Sequence, residues 1–206
     1  MSRIPLQDGD ALVVVDVQND FVTGSLTVPH GAEVVPPLNR VIQAFEARNL
    51  PVFATRDWHP PDHCSFRERG GLWPAHCVAG TRGADFVAAL RLPADVIHID
   101  KATERDTEAY SALAGTPLAA ELRARGVRRV FIGGLATDYC VVNTVRDAMP
   151  MGFEVFVLSD AVRAVNVQPD DGASAEAEMR RLGAQFIPVD ALAGTAPTHP
   201  PTVTER

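Results

Sequence analysis

The sequence predicts an α/β fold with three α/β/α layers, in which helices cover both faces of a mostly parallel, six-stranded sheet. Short, continuous apolar runs, such as residues 11–17 and 130–135, alternate with segments of helical periodicity, such as residues 33–49. Because these runs are apolar at nearly every position rather than at every second one, they indicate strands covered on both faces. Strands that alternate with helices form right-handed βαβ units, so we expect a Rossmann-like architecture.

Local signals predict each element in order. Apolar runs rich in β-branched residues predict strands at residues 11–17, 51–56, 95–100, 128–135, 153–158 and 185–189. Apolar spacing and terminal signals predict helices at residues 33–49, 116–125, 138–149 and 169–182. The clearest signals belong to the second helix, where Thr116 is an N-cap type, Pro117 suits the first helical position and Gly126 follows the last turn.

The composition is that of an ordinary globular chain. Its 206 residues are 46% hydrophobic and 22% charged, and we expect one domain over residues 1–194, followed by a disordered Pro/Thr-rich tail at 195–206. The formal net charge of −7 argues against nucleic acid or an anionic membrane as a partner. No apolar run approaches the roughly 20 residues of a membrane span, and no signal peptide is recognised. Three cysteines, sparse and odd in number, fit a cytoplasmic location.

Polar side chains follow four of the predicted strands. At or just past the carboxyl ends of strands one to four lie Asp16, Asp57, Lys101 and Cys140. In open α/β sheets, ligands bind at this edge. Taken singly, each residue has a commoner structural role: Cys140 could fill the core, Asp16 could cap a loop, and Lys101 could be exposed. The convergence of these groups on one edge favours a functional site.

Cys140 is expected in the first turn of a helix that has Thr137 or Asp138 as its N-cap. There the helix dipole and the backbone N–H groups would lower the pKa of the thiol, and the same N–H groups could hold an oxyanion. Asp16 could accept the thiol proton, and the positive charge of Lys101 would favour both carboxylate and thiolate. The sequence therefore predicts a nucleophilic cysteine.

Residues 57–81 form a long connection without regular periodicity, which carries both tryptophans and three of the six histidines. A connection of this length in a compact α/β domain is usually functional. Asp57, His59 and the downstream His76 offer carboxylate and imidazole ligands that suit zinc, manganese or iron. The loop is therefore a candidate metal site, with solvated polar surface as the alternative.

Four segments stand out when the chain is considered as a whole. They are VVVDVQNDF, TRDWHPPDHCSF with WPAHC, the strand end at Lys101, and GGLATDYCV. Together they resemble nicotinamidases of the isochorismatase-like cysteine hydrolases, and the first, second and fourth segments are contiguous and distinctive. The resemblance implies the isochorismatase-like form of the predicted fold.

The resemblance also implies roles for individual residues. The implied catalytic triad is Asp16, Lys101 and Cys140. The implied metal ligands are Asp57, His59 and His76. His63 and Glu68 fall where members of the family differ in a further ligand or a water-mediated contact.

The walls of a substrate pocket are implied in the same way. Phe21 and Trp73 match aromatic positions that sandwich a pyridine ring. The backbone N–H groups of Ala136 and Cys140 would form the oxyanion hole, with a cis peptide bond between Leu135 and Ala136.

The activity implied by the resemblance is hydrolysis of nicotinamide to nicotinate and ammonia through a thioester on Cys140, as a step of NAD salvage. Pyrazinamide should also be cleaved. One divalent transition metal would be the cofactor, with zinc preferred and manganese or iron accepted by the same ligands. The partner would be a small-molecule substrate, and a homo-oligomer is compatible with the sequence. The alternatives are a related amidase of another small amide and a catalytically silent metal- or ligand-binding relative.

The chain departs from the family pattern in two places. The segment KATERDTEAYSAL differs from the pattern of many relatives, which have Gly next to the Lys and an Asp-Ser-Tyr-Ser run. Tyr110 is retained there as a candidate substrate contact. Tyr139 precedes the cysteine where many nicotinamidases have His. Isochorismatase itself is disfavoured, because it hydrolyses a vinyl ether and lacks both the nucleophilic cysteine and this metal motif.

Overall fold

The computed structural model describes residues 3–195. Apart from residue 195, the tail predicted to be disordered lies outside the described residues. Within the described part of the chain, no helix is long and apolar enough to cross a membrane.

The sheet has six strands, and each neighbouring pair is parallel. The strands are β1 (Asp10–Val15), β2 (Val52–Asp57), β3 (Ile97–Lys101), β4 (Arg129–Leu135), β5 (Glu154–Arg163) and β6 (Gln185–Ile187). Their order is β3-β2-β1-β4-β5-β6, so the direction of winding reverses between β1 and β4. A crevice at the carboxyl ends of these two strands is the expected ligand site of such a sheet.

Helices cover both faces of the sheet, which confirms the predicted α/β/α fold. They are α1 (Asn19–Val22), α2 (Val35–Glu46), α3 (Leu118–Ala124), α4 (Val142–Ala148) and α5 (Asp171–Arg181). One hydrophobic core joins α2 to the face that carries Leu12 and Val14 of β1. The other core joins α3, α4 and α5 to the face that carries Val13 and Val15. Both faces of β1 are therefore buried, as its unbroken apolar run indicated.

Some predicted boundaries differ from the observed ones. Strand β5 continues well past the predicted end at residue 158, because a register shift along β4 lets Val162 pair with Gly134. The first long helix starts with a 3₁₀ turn at Gly31–Val34. The next turn, which opens α2, contains Pro36 and Pro37, where missing N–H groups cost no hydrogen bond.

Strands β1 and β4 approach each other closely at the reversal point. Gly134 has a φ of +128°, and a Cβ atom there would lie 2.0 Å from the carbonyl oxygen of Val15. Only glycine fits such a position, because any side chain would meet the neighbouring backbone. This contact brings the ends of the two central strands together beneath the crevice.

Candidate active site

Four strand ends bring polar side chains to one edge of the sheet. Asp16 follows β1 with a φ of +49°, and Asp57 and Lys101 are the last residues of β2 and β3. Cys140 lies in a π-helical turn, Thr137–Val141, that follows β4. All four side chains are buried, so the predicted convergence occurs and none of the four is a solvent-exposed surface group.

Lys101 lies at the centre of this group. Its Nζ atom is 3.0 Å from Oδ2 of Asp16 and 2.5 Å from Oδ1 of Asp57, and it donates a hydrogen bond of 3.4 Å to Sγ of Cys140. Burial alone would lower the pKa of Lys101, but the two carboxylates raise it well above its usual value. The ammonium group is therefore a permanent positive charge beside the thiol.

Asp16 is held between the lysine, a hydroxyl group and the thiol. Thr55 Oγ1 donates a 2.6 Å hydrogen bond to its Oδ1 atom, and a carboxylate oxygen of Asp16 lies within 4.8 Å of the Cys140 sulfur. Complete burial raises the pKa of Asp16, and Lys101 only partly offsets the rise. A carboxylate with a raised pKa is a better proton acceptor than an ordinary one, as a base beside a thiol requires.

The pKa of Cys140 moves opposite to the sequence-based expectation. Burial raises it well above the usual value, although Lys101 acts in the lowering direction. The predicted lowering by a helix N-terminus is therefore wrong for this site, because the desolvation of the thiolate dominates. Cys140 rests as a thiol and needs a base to become a nucleophile.

The predicted N-cap of the Cys140 helix is also wrong. Ala136 occupies the N-cap position, and no side chain caps the turn. The Asp138 carboxylate instead accepts hydrogen bonds from the backbone N–H groups of Val165 and Asn166, at 2.9 and 2.8 Å. The loop after β5 is thereby tied to the turn that carries Cys140. The peptide bond between Leu135 and Ala136 is cis, as the family resemblance implied.

A carboxylate and two imidazoles lie next to the lysine. Ligand-type atoms of Asp57, His59 and His76 all lie within 4.8 Å of one another, and the three residues are buried. Nδ1 of His59 is 3.2 Å from the carbonyl oxygen of Ala102, and Nδ1 of His76 is 2.8 Å from that of Pro74. As donors to these carbonyls, the Nδ1 atoms leave the Nε2 lone pairs available, which is the arrangement found behind metal-binding histidines.

This donor set fits a divalent transition metal. His59 Nε2 is buried and 3.6 Å from Oδ2 of Asp57, which is too long for a hydrogen bond. Burial lowers the pKa of His76, so its imidazole is neutral, as a metal ligand must be. Asp16, Asp57 and Cys140 also lie within 4.8 Å of one another, but the Lys101 ammonium already contacts all three.

A small pocket, partly open to solvent, lies beside these groups. Its lining includes Cys140, Ala136 and Asp57, and its aromatic walls are Phe21, Trp73, Tyr110 and Tyr139. Trp73 Nε1 donates a 3.1 Å hydrogen bond to the Tyr110 hydroxyl group, and the Tyr139 ring contacts both of these rings. These contacts fix three of the four aromatic walls relative to one another.

Comparison with known proteins assigns the family. The sequence model of the isochorismatase domain matches residues 10–191. The chain belongs to the isochorismatase family. Among its relatives, the nicotinamidase of Escherichia coli is 37% identical over 196 residues, with 84% of this chain and 92% of that protein covered.

Solved structures of isochorismatase-family proteins agree with this fold. A pyrazinamidase of Pyrococcus horikoshii in complex with zinc is 49% identical, with a TM-score of 0.84 over 87% of this chain and 99% of that one. PnC1 from L. infantum, in complex with nicotinate, is 35% identical, with a TM-score of 0.86 over 93% and 98% of the two chains. The resemblance seen in the sequence motifs is thereby confirmed.

Two candidate residues of this isochorismatase-family site, His63 and Glu68, are not among the clustered ligand atoms. The ring of His63 contacts that of His59, with centroids 4.2 Å apart, but its Nδ1 atom is 2.8 Å from Ser65 Oγ and its Nε2 atom 3.1 Å from the Thr107 carbonyl oxygen. Glu68 is exposed in a 3₁₀ turn. Neither residue belongs to the described group of atoms within 4.8 Å.

Sequence reasoning missed the contacts by which three polar residues support this isochorismatase-family site. Thr55, Gln18 and Asp138 each bind another segment through their side chains. Thr55 precedes Asp57 by two positions on β2, so the alternation of side chains along a strand could have placed both at the same face. No local signal identifies the partners of Gln18 and Asp138, because these partners are backbone groups distant in sequence.

Proposed function

We propose that the chain is a metal-dependent cysteine amidohydrolase, a nicotinamidase, which converts nicotinamide to nicotinate and ammonia and also cleaves pyrazinamide. The observation that carries the proposal is the contact of one buried lysine with Asp16, Asp57 and Cys140 at the base of an aromatic pocket. The names of the relatives, nicotinamidase and pyrazinamidase, support the same substrate class.

The first half of the reaction forms a thioester. Asp16 removes the proton of the Cys140 thiol, and the thiolate sulfur attacks the carboxamide carbon. The Lys101 ammonium, next to both groups, stabilises the thiolate. Backbone N–H groups of Ala136 and Cys140 stabilise the oxyanion; the loss of one such donor typically costs other hydrolases about 3–4 kcal/mol. The C–N bond breaks, and the nitrogen leaves as ammonia with the proton from Asp16.

The second half hydrolyses the thioester. Asp16, again a carboxylate, removes a proton from a water molecule that attacks the acyl carbon. The C–S bond breaks, the proton returns from Asp16 to the sulfur, and the carboxylic acid product leaves and loses its remaining proton to solvent as nicotinate. One acid–base residue thus serves both halves, which suits a carboxyl group whose pKa burial has raised.

In this proposal, Asp57, His59 and His76 hold one divalent transition metal, for which zinc is the first choice because the Pyrococcus horikoshii relative binds it. When bound, the metal supplies a Lewis acid for a ring nitrogen or a water molecule. Phe21 and Trp73 hold the flat ring between them, with Tyr110 as a further contact. His63 and Glu68 stay predicted as a further ligand or a water-mediated contact, although neither lies in the cluster of the three proposed ligands.

The protein is further proposed to act in the cytoplasm, as its sparse free cysteines indicate. Its substrate is a small molecule, and residues 1–194 form one domain. The predicted absence of nucleic-acid and membrane partners and the compatibility with a homo-oligomer remain predictions.

Ammonia release from nicotinamide, with metal analysis of the same sample, tests this function. The Cys140→Ala variant should release none while it keeps the fold and the bound metal, and Cys64→Ala, which changes another free cysteine, should retain wild-type turnover. Benzamide, which lacks the ring nitrogen, should be a much poorer substrate than nicotinamide. Unchanged turnover in Cys140→Ala would exclude the thiolate mechanism, and equal turnover of benzamide would exclude the contact with the ring nitrogen.

A further inference from the structure

The side chain of Gln18 is completely buried and bonds only to backbone groups that lie far away in the sequence. Its Oε1 atom accepts a 2.8 Å hydrogen bond from the N–H group of Asp57. Its Nε2 atom donates to the carbonyl oxygens of Asp57 and Ala84, at 2.8 and 2.9 Å. Only one orientation of the amide fits these partners, because one is a donor and two are acceptors.

The position of Gln18 explains this bonding. Strand β1 pairs with β2 up to Val15 and Thr55, and the N–H group of Asp16 still donates to the Thr55 carbonyl oxygen at 3.1 Å. With its φ of +49°, Asp16 then turns the chain out of the sheet. Asp57, two positions further along β2, would have no β1 backbone beside it. The Gln18 amide takes that place, since it offers one acceptor and one donor as a strand does.

Asp57 is therefore held from both sides. On one side β3 pairs Lys101 with Asp57, and the Trp58 N–H group donates to the Lys101 carbonyl oxygen at 3.0 Å. On the other side the only partner described is the Gln18 side chain. The Asp57 carboxylate has to face Lys101 with one oxygen and His59 with the other. Such a bridging orientation depends on a fixed backbone.

We propose that Gln18 is a positioning residue that sets the metal affinity of the site through Asp57. The proposal rests on the proposed function in one respect, the binding of a metal by Asp57, His59 and His76. Gln18 touches neither the reacting thiol nor the pocket. It acts by fixing the backbone from which the Asp57 carboxylate reaches both the lysine and the histidine cluster.

The backbone of Gln18 is secured independently of its side chain, so the side chain can be replaced. The Gln18 N–H group donates to the Asp16 carbonyl oxygen at 2.9 Å, and the Gln18 carbonyl oxygen accepts from Phe21 at 3.2 Å. Gln18 also forms a β-bridge with Phe86. The Gln18→Met variant keeps the length of the side chain and removes all three amide hydrogen bonds. Gln18→Asn keeps the amide one methylene short of its partners.

Asn39 offers a matched control away from the site. Its Nδ2 atom donates to the Ala89 carbonyl oxygen at 2.9 Å, and its Oδ1 atom accepts from the Arg91 N–H group at 2.8 Å. It is therefore another side-chain amide that bonds to backbone in both directions. The Asn39→Leu variant breaks the same kind of contact without touching the metal-type cluster.

The experiment measures the zinc dissociation constant of the full chain by competition with a chromophoric chelator. Gln18→Met should bind zinc roughly 10- to 100-fold more weakly than wild type, as is typical when the support of a metal ligand is lost. The zinc dissociation constant of Gln18→Asn should lie between those of wild type and Gln18→Met, and that of Asn39→Leu should match wild type. The visible spectrum of the cobalt-loaded protein should shift in the Gln18 variants only, because the coordination by Asp57 changes.

The thermal midpoints of the metal-free proteins separate positioning from simple loss of stability. If the Gln18 variants unfold earlier but bind zinc within twofold of wild type, Gln18 is only a structural residue and the inference is wrong. If Gln18→Met does not fold, Gln18→Asn decides on the same criterion. A wild-type chain that binds no zinc, manganese or iron would instead overturn the metal-dependent function itself, and the inference with it.

Discussion

The two ends of β1 carry two buried carboxylates that differ in their surroundings. Asp10 begins the strand and Asp16 follows it, and both side chains are completely buried. Each lies beside a basic residue of another strand, Arg129 of the adjacent β4 for Asp10 and Lys101 of β3, two strands away, for Asp16. The same residue type, at the same depth, therefore occurs in two settings on one strand.

Asp10 is satisfied by a matched set of donors. Arg129 binds it through two nitrogens, at 2.6 and 2.7 Å, and the N–H group of Gln7 adds a 2.8 Å hydrogen bond. Such a fork-to-fork pair is strong and fixed in geometry. Nothing in these contacts leaves an oxygen free to exchange a proton, so this end of the strand is structural.

Asp16, in contrast to Asp10, shares its basic partner with other groups. Its lysine also binds Asp57 and the Cys140 sulfur. Asp16 itself accepts a hydrogen bond from a hydroxyl group and lies within 4.8 Å of a thiol that faces a pocket. Burial raises the pKa of Asp16, and the shared lysine offsets only part of the rise. A buried carboxylate is therefore reactive where the positive charge beside it also pairs with other groups. It is structural where that positive charge pairs with it alone.

The largest effect should come from Asp16→Asn. We expect turnover of nicotinamide to fall by roughly 10²- to 10⁴-fold, because an amide cannot accept the thiol proton. Steady-state ammonia release measures this, with Asp10→Asn as the matched control on the same strand. Full activity in Asp16→Asn would remove Asp16 from the mechanism.

Asp10→Asn should produce the complementary result. It leaves the Arg129 guanidinium, mostly buried, without its carboxylate, and breaking a buried pair in this way costs about 3–5 kcal/mol of the free energy of unfolding. Urea unfolding measures the loss, and turnover well below the midpoint should remain at the wild-type level. A variant that is stable but inactive would contradict the assignment of this end as structural.

Metal removal should destabilise the protein through the site at the carboxyl end of β1, whether or not the Asp10–Arg129 pair at the other end is intact. A protein with zinc at about 100 times its dissociation constant gains about 2.7 kcal/mol over the metal-free form. Dialysis against a chelator should therefore lower the thermal midpoints of wild type and of Asp10→Asn. The free energy of unfolding that is lost should be the same in both proteins. His76→Ala, which lacks one proposed ligand, should show a much smaller difference between the two conditions.

The smallest effect should be a gain in stability for metal-free Asp16→Asn. Because burial raises the pKa of folded Asp16 above its ordinary value of 3.8, the stability that this group contributes is complete below that pH and is lost as the pH rises through the raised pKa. The variant avoids this loss, so it should unfold at a higher temperature than wild type at pH 7, with little difference near pH 3.5. A lower midpoint for the variant at pH 7 would contradict the raised pKa.

The sequence predicted the parts of this molecule that depend on local pattern. Unbroken apolar runs located the strands. The rule that parallel strands share a carboxyl edge was then enough to bring Asp16, Asp57, Lys101 and Cys140 together. The loop after β2 was recognised because its length and histidines are unusual for a connection.

Sequence patterns could not predict which distant backbone groups individual polar side chains bind. Asp138 was expected to cap its own helix, because Asp does so locally, yet it binds the backbone of Val165 and Asn166 across the fold. The direction of the Cys140 pKa depends on burial, which a local helix-dipole argument omits. The Gln18 amide substitutes for a missing strand, and only the observed exit of β1 from the sheet reveals that need.

Buried Asp57 and His76 line the aromatic pocket, and this has a consequence for substrate selection. Intact NAD carries the same carboxamide on the same ring, but a ribose is attached to its ring nitrogen. If nicotinamide is the substrate and its nitrogen faces Asp57, His59 and His76, a sugar at that atom would collide with these buried side chains. The enzyme could then recycle the free vitamin without destroying the coenzyme from which it came.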